Sequence, residues 1–255
     1  MDEWEKSLNS FLDAWRDKDF VVGAVACGSF VYGTATSTSD IDVHIITDKS
    51  LDWRERGNLV VDGFLIEYFV NPVQQIRAYF VDERKNHHPS TAHMFMLGKI
   101  LFDKTGIVKQ LVEEAKSAYK EEFDSPPNFE VEIAKYSMQD GFDNLKDTTD
   151  KEFWSVYFSL LNQTYENYAK YLRQNIVGIA KRERYFTEQD FRTKYHLERF
   201  PDQKFSEQYI EALEVTKREH NFDILRQLIN HTQEQMGGFS LDGWKLKGPA
   251  HTLDS

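Results

Sequence analysis

The sequence predicts an α+β chain: a first half in which strand and helix patterns alternate, then an all-helical second half that folds as a bundle. Two observations carry this. Strand-type runs occur only before Pro126-Pro127, and paired prolines cannot continue a helix and favour an extended linker. Beyond them, apolar residues recur only at helical steps of three and four. Domains are therefore expected at 1–125 and 126–255.

Residues 2–18 read as a helix, with Trp4, Leu8, Phe11, Leu12 and Trp15 on one face. Phe20 to Ala26 is a short apolar run, read as a buried strand that stops at Cys27-Gly28-Ser29, where a short helix is expected to begin. Ser39 to Thr47 alternates, placing Ile41, Val43 and Ile45 on one face of a strand and Asp40, Asp42 and His44 on the other. Asp62-Gly63 is a hairpin turn between strands at Asn58–Val61 and Phe64–Val70. A helix is expected from Pro72 to about Asn86, a last strand over Lys99–Phe102, and a helix over Ile107–Phe123. The second half predicts helices near 129–147, 151–175, 187–199, 205–219 and 222–236. In the second of these Tyr157, Leu161, Tyr165, Tyr168 and Leu172 form a stripe, widened by Trp154, Phe158 and Leu160. Such a stripe reads as core. The tail beyond Gly237-Gly238 shows no period and is expected to be irregular.

The chain has 255 residues, 40% hydrophobic and 29% charged, with one cysteine, which excludes an internal disulfide or a multi-cysteine zinc site. It holds no long uncharged apolar window and an acidic, amphipathic start, so neither a membrane span nor a secretory leader is expected. A cytoplasmic location is the expectation. Net charge is −11, spread over both halves: 14 basic against 21 acidic residues to position 125, and 17 against 21 after it. A polyanion would meet repulsion over most of such a surface, which disfavours general nucleic-acid binding.

Three features coincide between residues 27 and 67. Gly28-Ser29 sits where a strand gives way to a helix, a place suited to a phosphate, because glycine lets the backbone approach and serine adds a donor. Asp40 and Asp42 stand two apart, so both carboxylates point the same way, and two such acids are costly unless a cation neutralises them. Hard oxygen ligands select Mg²⁺ or Mn²⁺. Glu67 places a third carboxylate in an apolar strand run, and would complete the cluster if that strand pairs beside Ser39–Thr47. Each feature alone has a plain structural account, as a turn, a solvated strand face or an edge-strand acid. Their coincidence favours function.

The pattern Gly28-Ser29, Gly33, Ser39-Asp40-Ile41-Asp42 resembles the nucleotidyltransferase superfamily that includes DNA polymerase beta. It is most similar to the small bacterial branch of aminoglycoside, lincosamide and minimal nucleotidyltransferases. Gly98-Lys99-Ile100-Leu101-Phe102-Asp103 is similar to that branch's Gly-x-x-Leu-aromatic-Asp segment. The resemblance covers about residues 15–125. It implies a mixed sheet with flanking helices, a helical C-terminal domain and a metal-dependent enzyme. It further implies Asp40, Asp42 and Glu67 as catalytic metal ligands, with Gly28, Ser29, Gly33 and Ser39 binding the nucleotide. Many members carry Ala-Arg before the second glycine, where this chain has Val31-Tyr32, so a phosphate-contacting arginine is missing there.

The function expected is transfer of a nucleoside monophosphate, AMP from ATP, to a hydroxyl of a small molecule, of which an antibiotic is one candidate, by a monomer or homodimer. The alternatives are AMP transfer to a protein, a polynucleotide-extending enzyme, and a silent scaffold that binds nucleotide or partners. Weaker candidates are Asp140 and Asp143 on one helix face, and the basic stretch Lys181–Arg199, which could meet a triphosphate but reads first as surface charge. His44 could touch the site, but reads as a hydrogen-bonded neighbour. Cys27 reads as a small buried residue, and His87, His88 and His93 show no metal-type spacing.

Overall fold

A computed structural model of the chain describes residues 2–248, which divide after Glu122 into two compact units. In chain order the first unit holds α1 (Glu3–Arg16), β1 (Val21–Cys27), α2 (Gly28–Tyr32), β2 (Ile41–Thr47), β3 (Glu55–Val61), β4 (Phe64–Pro72), α3 (Val73–Lys85), α4 (Ser90–Leu97), β5 (Lys99–Asp103) and α5 (Ile107–Lys120). The strands form one mixed sheet in the order β3-β4-β2-β1-β5. Only β2 and β4 run parallel; every other pairing is antiparallel.

The hairpin fixes this arrangement. Asp62 and Gly63 both have positive φ, 50° and 86°, the mirror-image turn whose twist suits two paired strands. It pairs Val61 with Phe64, Asn58 with Glu67 and Arg56 with Phe69. The hairpin carries the chain back, so β4 can lie along β2 in the same direction.

Alternation then sends side chains to two covered faces. Ile41, Val43, Ile45, Ile66 and Val70 pack with Leu8, Phe11, Leu12 and Trp15 of α1. Val25, Cys27 and Ile46 face the other way, towards Ile76 and Phe80 of α3, Phe95 of α4 and Leu111 and Val112 of α5. The expected first strand and helix are found, shifted by a residue or two at their ends. Helix α4 has no counterpart in the expectation. Its cap comes from α3, where the Glu83 carboxylate accepts from the Thr91 backbone N–H and hydroxyl, both at 2.6 Å, so no local sequence signal announces it.

Among the described residues the regular elements of the second unit are helices: α6 (Asn128–Lys146), α7 (Asp150–Tyr171), α8 (Ile179–Thr187), α9 (Gln189–Lys194), α10 (Gln203–Leu213) and α11 (Arg218–Gln235). Along α7 the stripe Tyr157, Leu160, Leu161, Tyr165 and Tyr168 is buried, flanked by half-buried Trp154, Phe158 and Leu172. The aromatic stripe is core.

Two expectations fail here. The helix placed at 187–199 is replaced by α8 and α9, separated by the extended backbone of Glu188, φ −107° and ψ 115°. The helix placed at 205–219 stops at Leu213. Asn221 accepts from the Thr216 N–H and hydroxyl at 3.0 and 2.8 Å and donates to the Glu214 carbonyl at 2.7 Å, taking the backbone groups that would have continued α10. Residues 237–248 hold neither helix nor strand, and the rest of the expected irregular tail lies outside the described residues. Among the described residues no helix is long and apolar enough to cross a membrane.

Candidate active site

Strand register builds the site. Cys27 of β1 pairs with Asp42 of β2, and Asp42 pairs in turn with Glu67 of β4. Directly paired residues put their side chains on one face, so Asp42 and Glu67 stand side by side. Asp40 lies just before β2 rather than in it, yet its carboxylate joins the other two. One oxygen from each of Asp40, Asp42 and Glu67 lies within 4.8 Å of the others, and all three residues are half-buried. Among the described residues no other group of His, Cys, Asp or Glu has this geometry.

Three carboxylates held so close repel one another unless a cation intervenes. The protein supplies part of the offset. Arg56 of β3 donates through Nε and Nη2 to Oε1 of Glu67, at 3.0 and 2.5 Å, and its guanidinium lies 4.9 Å over the Phe69 ring. The glutamate side chain is 16% exposed and the arginine 69%, so Arg56 covers the acid from the solvent side. Sequence reading missed Arg56. The hairpin register would have found it, because a two-residue turn at Asp62-Gly63 makes Arg56 a diagonal neighbour of Glu67 on the same face.

Gly28 is required twice over. Its φ is 75°, in the left-handed region, and a Cβ there would overlap the Asp42 carboxylate. The backbone at the start of α2 can thus approach whatever Asp42 holds. Ser29 follows it, half-buried, and its carbonyl accepts from the Thr34 N–H at 2.8 Å. Gly33 closes α2 in the left-handed region, φ 66°, with open space where a Cβ would stand, so its requirement is conformational. The Ser39 hydroxyl accepts from the Thr36 N–H at 2.9 Å and ties the loop leading to Asp40.

The neighbours behave differently from one another. Cys27 is buried, its thiol donating to the Met94 carbonyl at 3.4 Å, and burial plus the Asp42 charge push its pKa far up, so it is inert. His44 is 5% exposed, and burial pushes it down to about 4. It is not the hydrogen-bonded neighbour expected: neither ring nitrogen has a partner.

Candidates in the second unit resolve as scaffold. Asp143 takes Gln139 and Lys146, and Asp140 takes Asn144, all within α6. From the basic stretch, Arg182 is 2% exposed and donates to the Val177 carbonyl, Asn162 and the Tyr209 hydroxyl. Arg192 donates to the carbonyls of Tyr185 and Phe186, and Arg184 pairs with Glu188.

Residues 8–102 match the family model described as nucleotidyltransferase domain. A comparison with curated protein sequences returned no match. Among solved structures, a nucleotidyltransferase-like protein from Exiguobacterium sibiricum is similar over 91% of this chain and 75% of its own, with 10% identity and a TM-score of 0.49. The matched span contains β1, α2, β2 and β4, the elements that hold Gly28, Asp42 and Glu67, with Asp40 just ahead of β2. Over residues 8–102 the chain is thus similar to nucleotidyltransferase domains.

Proposed function

We propose that the chain transfers a nucleoside monophosphate, AMP from ATP, to a hydroxyl of a small molecule and releases pyrophosphate, in the manner of the small bacterial branch of its superfamily. The observation that carries this is the convergence of Asp40, Asp42 and Glu67 within 4.8 Å, beside a glycine whose Cβ would overlap Asp42. The donor set is all hard oxygen and suits Mg²⁺ or Mn²⁺. A pair of such cations, when bound, would neutralise the three carboxylates and stabilise charge on the entering and leaving oxygens.

The residues divide the remaining work. Asp40 and Asp42 would hold both cations, and Glu67 would hold the one nearest the acceptor hydroxyl. Gly28 lets the backbone come close to the β- and γ-phosphates, and the Ser29 hydroxyl donates to them. The acceptor oxygen forms a bond to the α-phosphorus, the bond to pyrophosphate breaks, and the hydroxyl proton passes to a carboxylate of the cluster. Both Arg56 bonds fall on Oε1 of Glu67, which leaves Oε2 to face a ligand.

The test incubates the protein with Mg²⁺, α-labelled nucleotides and a panel of aminoglycosides, lincosamides and whole lysate. Label is expected on a small molecule, to vanish with EDTA, and to fall at least a thousandfold in Asp42→Asn without loss of fold. Label on a polypeptide would instead establish protein AMPylation. Retained turnover in an Asp40→Asn, Asp42→Asn double variant would refute the ligand assignment. Nucleotide binding with no label anywhere would mark a silent scaffold.

A further inference from the structure

The helical unit contains a cavity of about 370 Å³, formed by the last turn of α8, residues 199–200 and one face of α10. That volume suits a small molecule. Its walls are of two kinds.

One wall is apolar and held from behind. Phe186 is half-buried and meets Tyr165, Phe200 and Tyr209 with ring centroids 5.8, 5.6 and 5.1 Å away. Phe200 is 3% exposed and lies 5.2 Å from the Phe205 ring. The rings that line the cavity are thus fixed by the aromatic core of the unit. Ile210 of α10 adds to this wall.

The other wall is acidic. Glu207, Glu211 and Glu214 line the cavity from α10 and its C-cap, at steps of four and three, which put them on one face. Like charges at such steps destabilise a helix, and Glu211 and Glu214 stand at its C-terminus, where the helix dipole already carries partial negative charge. The last turn of α10 has no basic residue. Glu207 accepts from the neutral Gln203 amide at 2.8 Å, and among the described residues none of the three carboxylates has an ion-pair partner. Among the described lining residues Arg199 is the one positive charge, so three acids face one base.

We propose that this cavity binds an organic cation, a compound carrying one protonated amine on an apolar, ring-bearing body. The body covers Phe186, Phe200 and Ile210 and expels water from them, and aromatic rings also favour a nearby cation. The ammonium group sits among Glu207, Glu211 and Glu214 and relieves the repulsion that the bare helix carries. A carboxylate on the same body would meet three like charges, a neutral group would leave them unrelieved, and a hydrophilic polyamine would leave the rings wet. The site is built from the second unit alone and does not depend on the nucleotidyl-transfer reading.

The test compares three ligands that share one body and differ in charge: 4-phenylbutylamine, 4-phenylbutanol and 4-phenylbutanoate, with spermidine as a cation lacking an apolar body. Saturation-transfer NMR and calorimetric titration of the full chain at neutral pH, without nucleotide or metal, read binding. The amine is expected to bind about tenfold more tightly than the alcohol, and neither the carboxylate nor spermidine is expected to displace it. The triple variant Glu207→Gln, Glu211→Gln, Glu214→Gln should bring the amine down to the affinity of the alcohol and leave the alcohol as it was. Ile210→Trp, which fills the cavity, should weaken amine and alcohol alike by about tenfold. The triple variant changes exposed side chains, so it remains informative if Ile210→Trp does not fold. Equal binding of amine and alcohol, displacement of the amine by spermidine, an amine affinity untouched by the triple variant, or no binding of the amine would each overturn the proposal.

Discussion

The two units put their most conspicuous polar groups to different uses. In the helical unit the large polar groups Arg182, Asp202 and Lys135 are spent on the fold. Arg182 caps the Val177 carbonyl, reaches Asn162 and Tyr209, and lies 3.9 Å over the Tyr165 ring. Asp202 accepts from Tyr168 at 2.6 Å, meets His231 at 2.7 Å and caps α10 through Phe205. Lys135 donates to the Gly238 carbonyl at 2.9 Å. In the first unit three carboxylates crowd together and a buried imidazole has no partner. Polar groups paired within the chain hold a structure together, whereas the clustered carboxylates are a group that could hold a metal ion.

That contrast can be broken or sharpened by substitution, and the largest effect belongs to the helical unit. Arg182→Met should destabilise that unit by about 3 kcal/mol or more, since it strands the Tyr209 hydroxyl, Asn162 and the Val177 carbonyl at once. Urea unfolding measures it, and a cost within a few tenths would mean the network is not structural.

Gly28→Ala comes next. The new methyl must displace the Asp42 carboxylate, and the left-handed backbone is itself strained by about 1–2 kcal/mol. Nucleotidyl transfer should fall on the order of a hundredfold, about 2.7 kcal/mol at the barrier, while the far-ultraviolet dichroism stays that of the wild type. Full activity in this variant would show that the glycine serves the turn alone.

The smallest effect is a pH dependence. Arg77 donates through Nε and Nη2 to the two oxygens of Glu114, both at 2.8 Å, and this pair, above all, holds the Glu114 carboxyl below its ordinary value. A carboxyl depressed in the folded state adds stability above its unfolded value of 4.5 and loses it as pH falls through the folded one. Both side chains are partly exposed, so solvent screening limits the contribution to about 1 kcal/mol or less. Arg77→Met should therefore lose less stability than the wild type between about pH 5 and pH 3. Parallel losses in the two proteins would remove the pair from the acid response.

Sequence alone determined the local half of the site. The Asp-x-Asp spacing, the glycine at a strand end and the Asp-Gly turn are each written in a few consecutive residues, because backbone sterics and strand alternation act over that range. The hairpin register, had it been followed further, would also have reached Arg56. The core stripe of α7 was legible for the same reason, since helical periodicity is a local property.

What only the tertiary structure decided was how separate segments meet. Glu67 joins Asp40 and Asp42 because β4 lies parallel to β2, a pairing across 25 positions that no local pattern specifies. Helix α4 is capped by a carboxylate from α3, Arg182 turned inward, and His44 was left with bare nitrogens, all by packing between elements. Propensity and spacing act within a turn or two of chain; burial and the pairing of polar groups are settled only when distant segments exclude water together.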